Sequence, residues 1–157
     1  MVAWRDLLFV LGGYFNKHLF QSFNLTSYAW QDEFEPTLAP IYSSACIVLP
    51  KNEILVLGAE VQFNEQRVTI YDILSKNWTS LADTSVSRLA ANLVFLGTRV
   101  FAIGGKRTNT IEEFHYDDRT WSPVSTSIFD NRNGSQEVLS VPAEQFQHFP
   151  GGCVGFQ

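Results

Sequence analysis

Three short apolar runs, each ending in glycine, constrain what this 157-residue chain can fold into. They are Leu7-Leu8-Phe9-Val10-Leu11-Gly12-Gly13, Ile54-Leu55-Val56-Leu57-Gly58 and Val100-Phe101-Ala102-Ile103-Gly104-Gly105, and their first glycines lie 46 and again 46 residues apart. Downstream of each run come an aromatic and then a tryptophan: Phe23 with Trp30, Tyr71 with Trp78, and Phe114 or Tyr116 with Trp121. If Phe114 is the equivalent, all three pairs are seven residues apart; if Tyr116 is, the third hairpin is two residues tighter. A composite pattern recurring at a fixed period of roughly 20 to 50 residues marks a repeat architecture.

Each unit reads as four short strands separated by turn chemistry. In the second, Ser43 to Leu49 is a first strand, Pro50-Lys51-Asn52 a turn and Ile54 to Gly58 a second strand. A loop from Ala59 to Gln66 then leads into Arg67 to Asp72, and Ser75-Lys76-Asn77 turns the chain into the Trp78 strand. The third unit repeats this with Ala90 to Leu96, the Gly97-Thr98 turn, Arg99 to Ile103, a loop near Lys106 to Asn109, Thr110 to Tyr116 and Trp121. A small sheet of this kind has two faces and cannot bury enough apolar area alone, so the units are expected to stack face to face. The first unit begins midway through a first strand, with Val2-Ala3-Trp4 opposite Phe95-Leu96. At the other end, Gln136 to Val141 sits where a further first strand belongs. The expected blocks are 1–34, 43–81 and 90–124, an extra closing strand at 135–141 and a tail over 142–157.

The set of landmarks resembles the kelch repeat, the blade of one class of β-propeller. The resemblance rests on the apolar runs into Gly12-Gly13 and Gly104-Gly105, on the Tyr71-Asp72 and Tyr116-Asp117 pairs, and on Trp30, Trp78 and Trp121. Gly58 followed by Ala59, and Phe23-Asn24 in place of Tyr-Asp, depart from it. It implies an all-β fold of about three four-stranded antiparallel blades in an incomplete propeller, with 135–141 as a closing strand, and it marks this chain as the C-terminal portion of a kelch propeller. It also implies a protein-binding role, such as substrate recognition in a ubiquitin-ligase adaptor or attachment to actin. The alternative is a fragment of a propeller enzyme, an oxidase or sugar-modifying protein, whose active residues lie in other blades.

Glycine after a buried strand permits positive φ and close passage of backbone, so Gly12, Gly13, Gly58, Gly104 and Gly105 read as structural. Tyr71, Tyr116, Trp30, Trp78 and Trp121 read as large buried surfaces between blades. Uncovered blade faces around 1–30 and 121–141 point to self-association.

With 11 Lys and Arg against 16 Asp and Glu, the net charge of −5 offers no basic stripe for nucleic acid. The longest apolar run is far short of the roughly 20 residues of a membrane-spanning helix, and Arg5 and Asp6 interrupt any signal peptide. The two cysteines make no disulfide framework, which favours a reducing, cytoplasmic setting; Cys46 reads as a small buried hydrophobe and Cys153 as an exposed thiol. His18, His115 and His148 show no metal-site spacing with the cysteines, and no cofactor is expected. Three Asn-x-Ser/Thr triplets, at Asn24, Asn77 and Asn133, read as accidental without a signal peptide.

The paired carboxylates have structural explanations. Glu112 and Glu113 alternate across a strand, and Asp117-Asp118 suits a tight turn; both pairs, with Asp32/Glu33/Glu35, are expected at solvated hairpin edges. Function is then left to the loops, because the strands are committed to packing. Aromatics and arginines dominate binding hot spots, which nominates Tyr14, Phe63, Arg88, Arg107 and Arg132 for protein contact. The competing structural role is that the aromatics pack under their own loops and each arginine bridges blades.

Overall fold

The computed structural model describes residues 1–13, 19–33, 44–58, 67–105 and 108–124. Within them the chain forms three four-stranded antiparallel sheets, each laid down in chain order, as propeller blades are. The first blade comprises β1 (Val2–Trp4), β2 (Leu7–Leu11), β3 (Phe20–Asn24) and β4 (Ala29–Asp32). The second comprises β5 (Ala45–Leu49), β6 (Glu53–Leu57), β7 (Val68–Asp72) and β8 (Asn77–Ser80). The third comprises β9 (Asn92–Leu96), β10 (Arg99–Ile103), β11 (Ile111–His115) and β12 (Thr120–Val124). The segments expected to hold a closing strand and a tail lie outside the described residues.

Strand register settles which residues are equivalent. Phe23 pairs with Trp30, Tyr71 with Trp78 and Phe114 with Trp121, each as a directly opposed pair on the last hairpin of its blade. Their ring centroids lie 5.0, 4.9 and 5.0 Å apart, a spacing at which aromatic pairs attract beyond simple burial. Phe114, not Tyr116, is therefore the counterpart of Tyr71, and Tyr116-Asp117 is not the counterpart of Tyr71-Asp72. The three hairpins have equal lengths, and each places one non-glycine residue in the left-handed region at the same point: Tyr28, Lys76 and Arg119, with φ of 53°, 57° and 58°. In the first two hairpins Asn24 and Asp72 hold the turn by accepting two backbone N–H bonds each. His115 occupies that place in the third, and there Asp118 accepts from the Thr120 amide and hydroxyl.

Because side chains alternate across a strand, each blade has two faces, and the two are used differently. One face, here called leading, carries the aromatic–tryptophan pair and turns toward the preceding blade. On the second blade it is Cys46, Ile54, Val56 and Tyr71, which pack with Val2, Phe9 and Phe20 of the first. The opposite, trailing face of the second blade is Ala45, Ile47, Leu49, Leu55, Leu57, Val68 and Ile70, which pack with Leu93, Val100, Ala102 and Phe114 of the third. Among the described residues the middle blade packs against a neighbour on both faces, and its β6 is buried along its whole length. The first strands lie side by side, β1 against β5 and β5 against β9.

The glycine ends have a specific use. Gly104 and Gly105 sit at φ 67° and 137°, and a Cβ on Gly105 would lie 3.0 Å from the Arg88 Cα. The close backbone neighbour is thus the segment that enters the third blade. Gly97 also has positive φ, 65°, but a Cβ there meets nothing within 4 Å. Gly105→Ala is expected to destabilise the chain by about 1–3 kcal/mol, because strain and backbone collision add. Gly97→Asn, in a left-handed position that asparagine tolerates, should stay within about 0.5 kcal/mol. Urea unfolding of the two variants measures the contrast; equal losses would contradict it.

Candidate functional site

Connections between second and third strands all leave from the glycine end of the sheets: after Leu11, Leu57 and Ile103. The segment joining the second and third blades, from Leu81 to Ala91, arrives at the same end. Of the residues nominated for partner contact, Tyr14, Phe63, Arg107 and Arg132 lie outside the described residues. Arg88 is described, and it is not on the surface.

Arg88 is 0% exposed. Its Nε donates to Glu112 Oε2 at 2.7 Å, its Nη1 donates to the carbonyls of Gly104 and Thr110 at 2.9 and 2.8 Å, and its Nη2 donates to Thr110 Oγ1 at 2.9 Å. Glu112, 1% exposed, uses its other oxygen to accept from the Ser85 amide at 2.8 Å. The guanidinium thus clamps the incoming interblade segment to β11 and to the β10–β11 connection of one blade. It is a strut that shapes the loop end, and its burial removes it as a contact point. Glu112 likewise departs from the solvated edge expected of it, whereas Glu113, on the opposite face, pairs with half-exposed Arg99. The Arg99 bond holds the Glu113 carboxyl below its usual range.

Polar ties also cross between blades. Glu33, 8% exposed, accepts from Ser22 Oγ at 2.7 Å, from Tyr71 Oη at 3.2 Å and from Lys76 Nζ at 3.1 Å. Glu53 accepts from Tyr116 Oη at 3.0 Å and from Arg119 Nη2 at 2.8 Å, and Trp4 Nε1 donates to Asn52 Oδ1 at 3.2 Å. Lys76 and Arg119, the left-handed residues of equivalent hairpins, therefore each hold a carboxylate of the preceding blade. Burial, followed by the Glu33 carboxylate, raises Tyr71 above the ordinary phenol range. Burial, then the bond to Glu53, raises Tyr116 to about 12. The Trp121 indole N–H is buried without a partner among the described residues.

Sequence reading found the aromatics and glycines of this frame but placed several differently. Trp30, expected between blades, is 58% exposed, because its leading face has no described blade before it. Cys46 is buried as expected, at 3% exposure. No group of three His, Cys, Asp or Glu side chains that could hold a metal ion occurs among the described residues. No described helix is long and apolar enough to cross a membrane.

Removing Arg88 strands a buried carboxylate, which typically costs about 3–5 kcal/mol. Arg88→Ala should therefore lower the urea midpoint strongly, and Arg88→Ala with Glu112→Leu should recover part of that loss, since no unpaired charge then remains. A single variant that melts like the parent would contradict the strut. For the tyrosines the sign follows from their raised values. Their stabilising contribution is complete below the free phenol's range, near pH 10, and is lost as pH rises through the folded-state value. Stability should fall between pH 10 and 12 in proportion to these phenols, and Tyr71→Phe plus Tyr116→Phe should flatten that fall in pH-dependent urea titrations.

Comparisons with known proteins agree with this frame. No family model matches the chain. It is 29% identical over 102 residues to an F-box/kelch-repeat protein of Arabidopsis thaliana, a stretch covering 59% of this chain and 28% of that protein. It is 21% and 20% identical over 89 residues to Kelch-like protein 25 of Mus musculus and of Homo sapiens, covering 54% of this chain and 15% of each. The matched stretch is thus less than a third of each relative's own length. In its four-stranded blades, its aromatic–tryptophan hairpins and its sequence over about half its length, the chain is similar to kelch-repeat proteins.

Proposed function

We propose that the chain is a non-enzymatic protein-interaction module whose loops at the glycine end of the blades contact a partner protein. The carrying observation is how the chemistry-bearing groups are spent. Buried Arg88, Glu112, Glu33 and Glu53 are engaged in ties within and between blades, which leaves recognition to the connecting segments. The similarity to kelch-repeat proteins supports the same reading in its general form. Two finer roles fit: presentation of a substrate to a ubiquitin ligase, in line with the F-box/kelch relative, and attachment to actin.

Tyr14, Phe63, Arg107 and Arg132 are the contact positions proposed, since aromatic and arginine side chains carry most hot-spot energy. Arg88 is withdrawn from that set and becomes the stability control. Chemical cross-linking with mass spectrometry on the complete protein in cells identifies the partner and the contacting segments. Tyr14→Ala, Phe63→Ala and Arg107→Ala should each weaken capture of that partner about tenfold or more, with the melting temperature unchanged. Capture unaffected by all three substitutions together, or partner cross-links confined to the opposite end of the blades, would overturn the assignment.

A further inference from the structure

The two interfaces between blades use equivalent positions but finish differently at the turn end of the strands, away from the glycines. Register makes Trp4 and Leu49, each the last residue of a first strand, equivalent. It likewise makes Ile73 of the second blade and Tyr116 of the third equivalent, each two residues past the aromatic that opposes a tryptophan. At the first interface Trp4 packs into the cluster that buries Ile73, and its Nε1 reaches Asn52 of the second blade at 3.2 Å. At the second, a leucine stands where the tryptophan was, and Tyr116 turns its hydroxyl aside to Pro50 O and Glu53. There the walls leave a cleft of about 330 Å³, within the size range of sites that hold small groups, and every residue lining it is among those described. Leu49, Val100 and Phe114, each 3% exposed, form its floor, with partly buried Phe95 beside them.

The lip of this cleft is charged: Arg99 stands there with Glu113, Asp117 and Asp118. The cations in reach are already engaged. Arg99 pairs with Glu113, Arg119 bonds Glu53 at 2.8 Å, and Lys51 lies over the Tyr116 ring at 5.3 Å. Asp117 and Asp118 are exposed, and neither forms an ion pair among the described residues. Asp118 accepts from the Thr120 hydroxyl and amide, and the hydroxyl bond above all holds its carboxyl below the usual range, so it is ionised at neutral pH. An apolar floor under two uncompensated carboxylates suits a side chain that is apolar along its stem and cationic at its tip.

We propose that this cleft receives an arginine side chain of a partner protein, its methylene stem on the apolar floor and its guanidinium at Asp117 and Asp118. Arginine fits better than lysine, because a guanidinium is more weakly hydrated than an ammonium and forks onto carboxylates in a fixed geometry. The cleft opens among the β5–β6, β9–β10 and β11–β12 turns, so it is a second contact surface, separate from the loops at the glycine end.

Heteronuclear NMR titration of the 157-residue chain with acetyl-Gly-Arg-Gly-amide at low ionic strength tests it. Saturable shifts are expected at the amides of Phe95, Thr98 and Asp117. The same peptide with citrulline, which keeps the shape and removes the charge, should bind about tenfold or more weakly. Asp117→Lys reverses an exposed charge and should weaken binding about tenfold or more with the melting temperature unchanged. Leu49→Trp, which installs the residue of the first interface, should fill the cleft and abolish binding; Asp117→Lys carries the test if that variant fails to fold. Phe63→Ala should leave this titration unaltered, so a failure here is distinct from a failure of the loop assignment. Absent shifts, equal binding of the citrulline peptide, or binding undiminished by Asp117→Lys would each overturn the proposal. Overhauser contacts from the Phe95 ring to residues 125–157 would also overturn it, by giving the cleft to the chain's own segment.

Discussion

Everything in this fold depends on a four-stranded meander having two faces and no means of covering either by itself. The second blade shows the solution complete. Its Tyr71–Trp78 pair presses on Phe9 and Phe20 of the blade before it, while Leu55, Leu57 and Ile70 receive the blade after it. Burying an aromatic of this kind is worth about 1.5–3 kcal/mol, and its edge-to-face contacts add roughly 0.5–1.5 kcal/mol. Direction matters as much as burial: leading meets trailing at both observed interfaces, so the order of blades is written into which face carries tryptophan.

Polar groups refine this packing. Carboxylates taken out of water are costly unless paired and hydrogen-bonded, and Glu33, Glu53 and Glu112 each meet that condition with a cation and at least one further donor. Two of them join neighbouring blades, and the third fixes the segment that links one blade to the next. Arg88 and Gly105 form one device: the arginine needs the backbone brought close, and the missing Cβ allows it. The loop end of the third blade is thereby held from within.

The repeat was legible because its landmarks have strict physical jobs. A tryptophan opposite an aromatic, and a glycine at positive φ after a buried strand, cannot wander far in sequence. The Arg99 to Ile103 strand coincides with its expected bounds, and the other expected strands of the second and third units differ at their ends by a residue or two where they are described. The third hairpin was ambiguous because Phe114 and Tyr116 are both aromatic on alternate positions of one segment, and only the pairing of Phe114 with Trp121 separates them. Arg88 misled because an arginine next to a strand reads equally as a surface contact or a buried strut. Its partner Glu112 lies 24 residues away, a spacing that carries no local signal. Glu33 was hidden in the same way, with Tyr71 and Lys76 38 and 43 residues off.

The central claim is that the aromatic–tryptophan face of one blade lies on the opposite face of the blade before it. Nuclear Overhauser contacts in selectively labelled protein read this directly. The Phe20 ring should show contacts to both Tyr71 and Trp78, whose centroids lie 4.7 and 5.2 Å away in another sheet. Trp78 contacts confined to residues of its own sheet, with none to Phe20, would contradict the account.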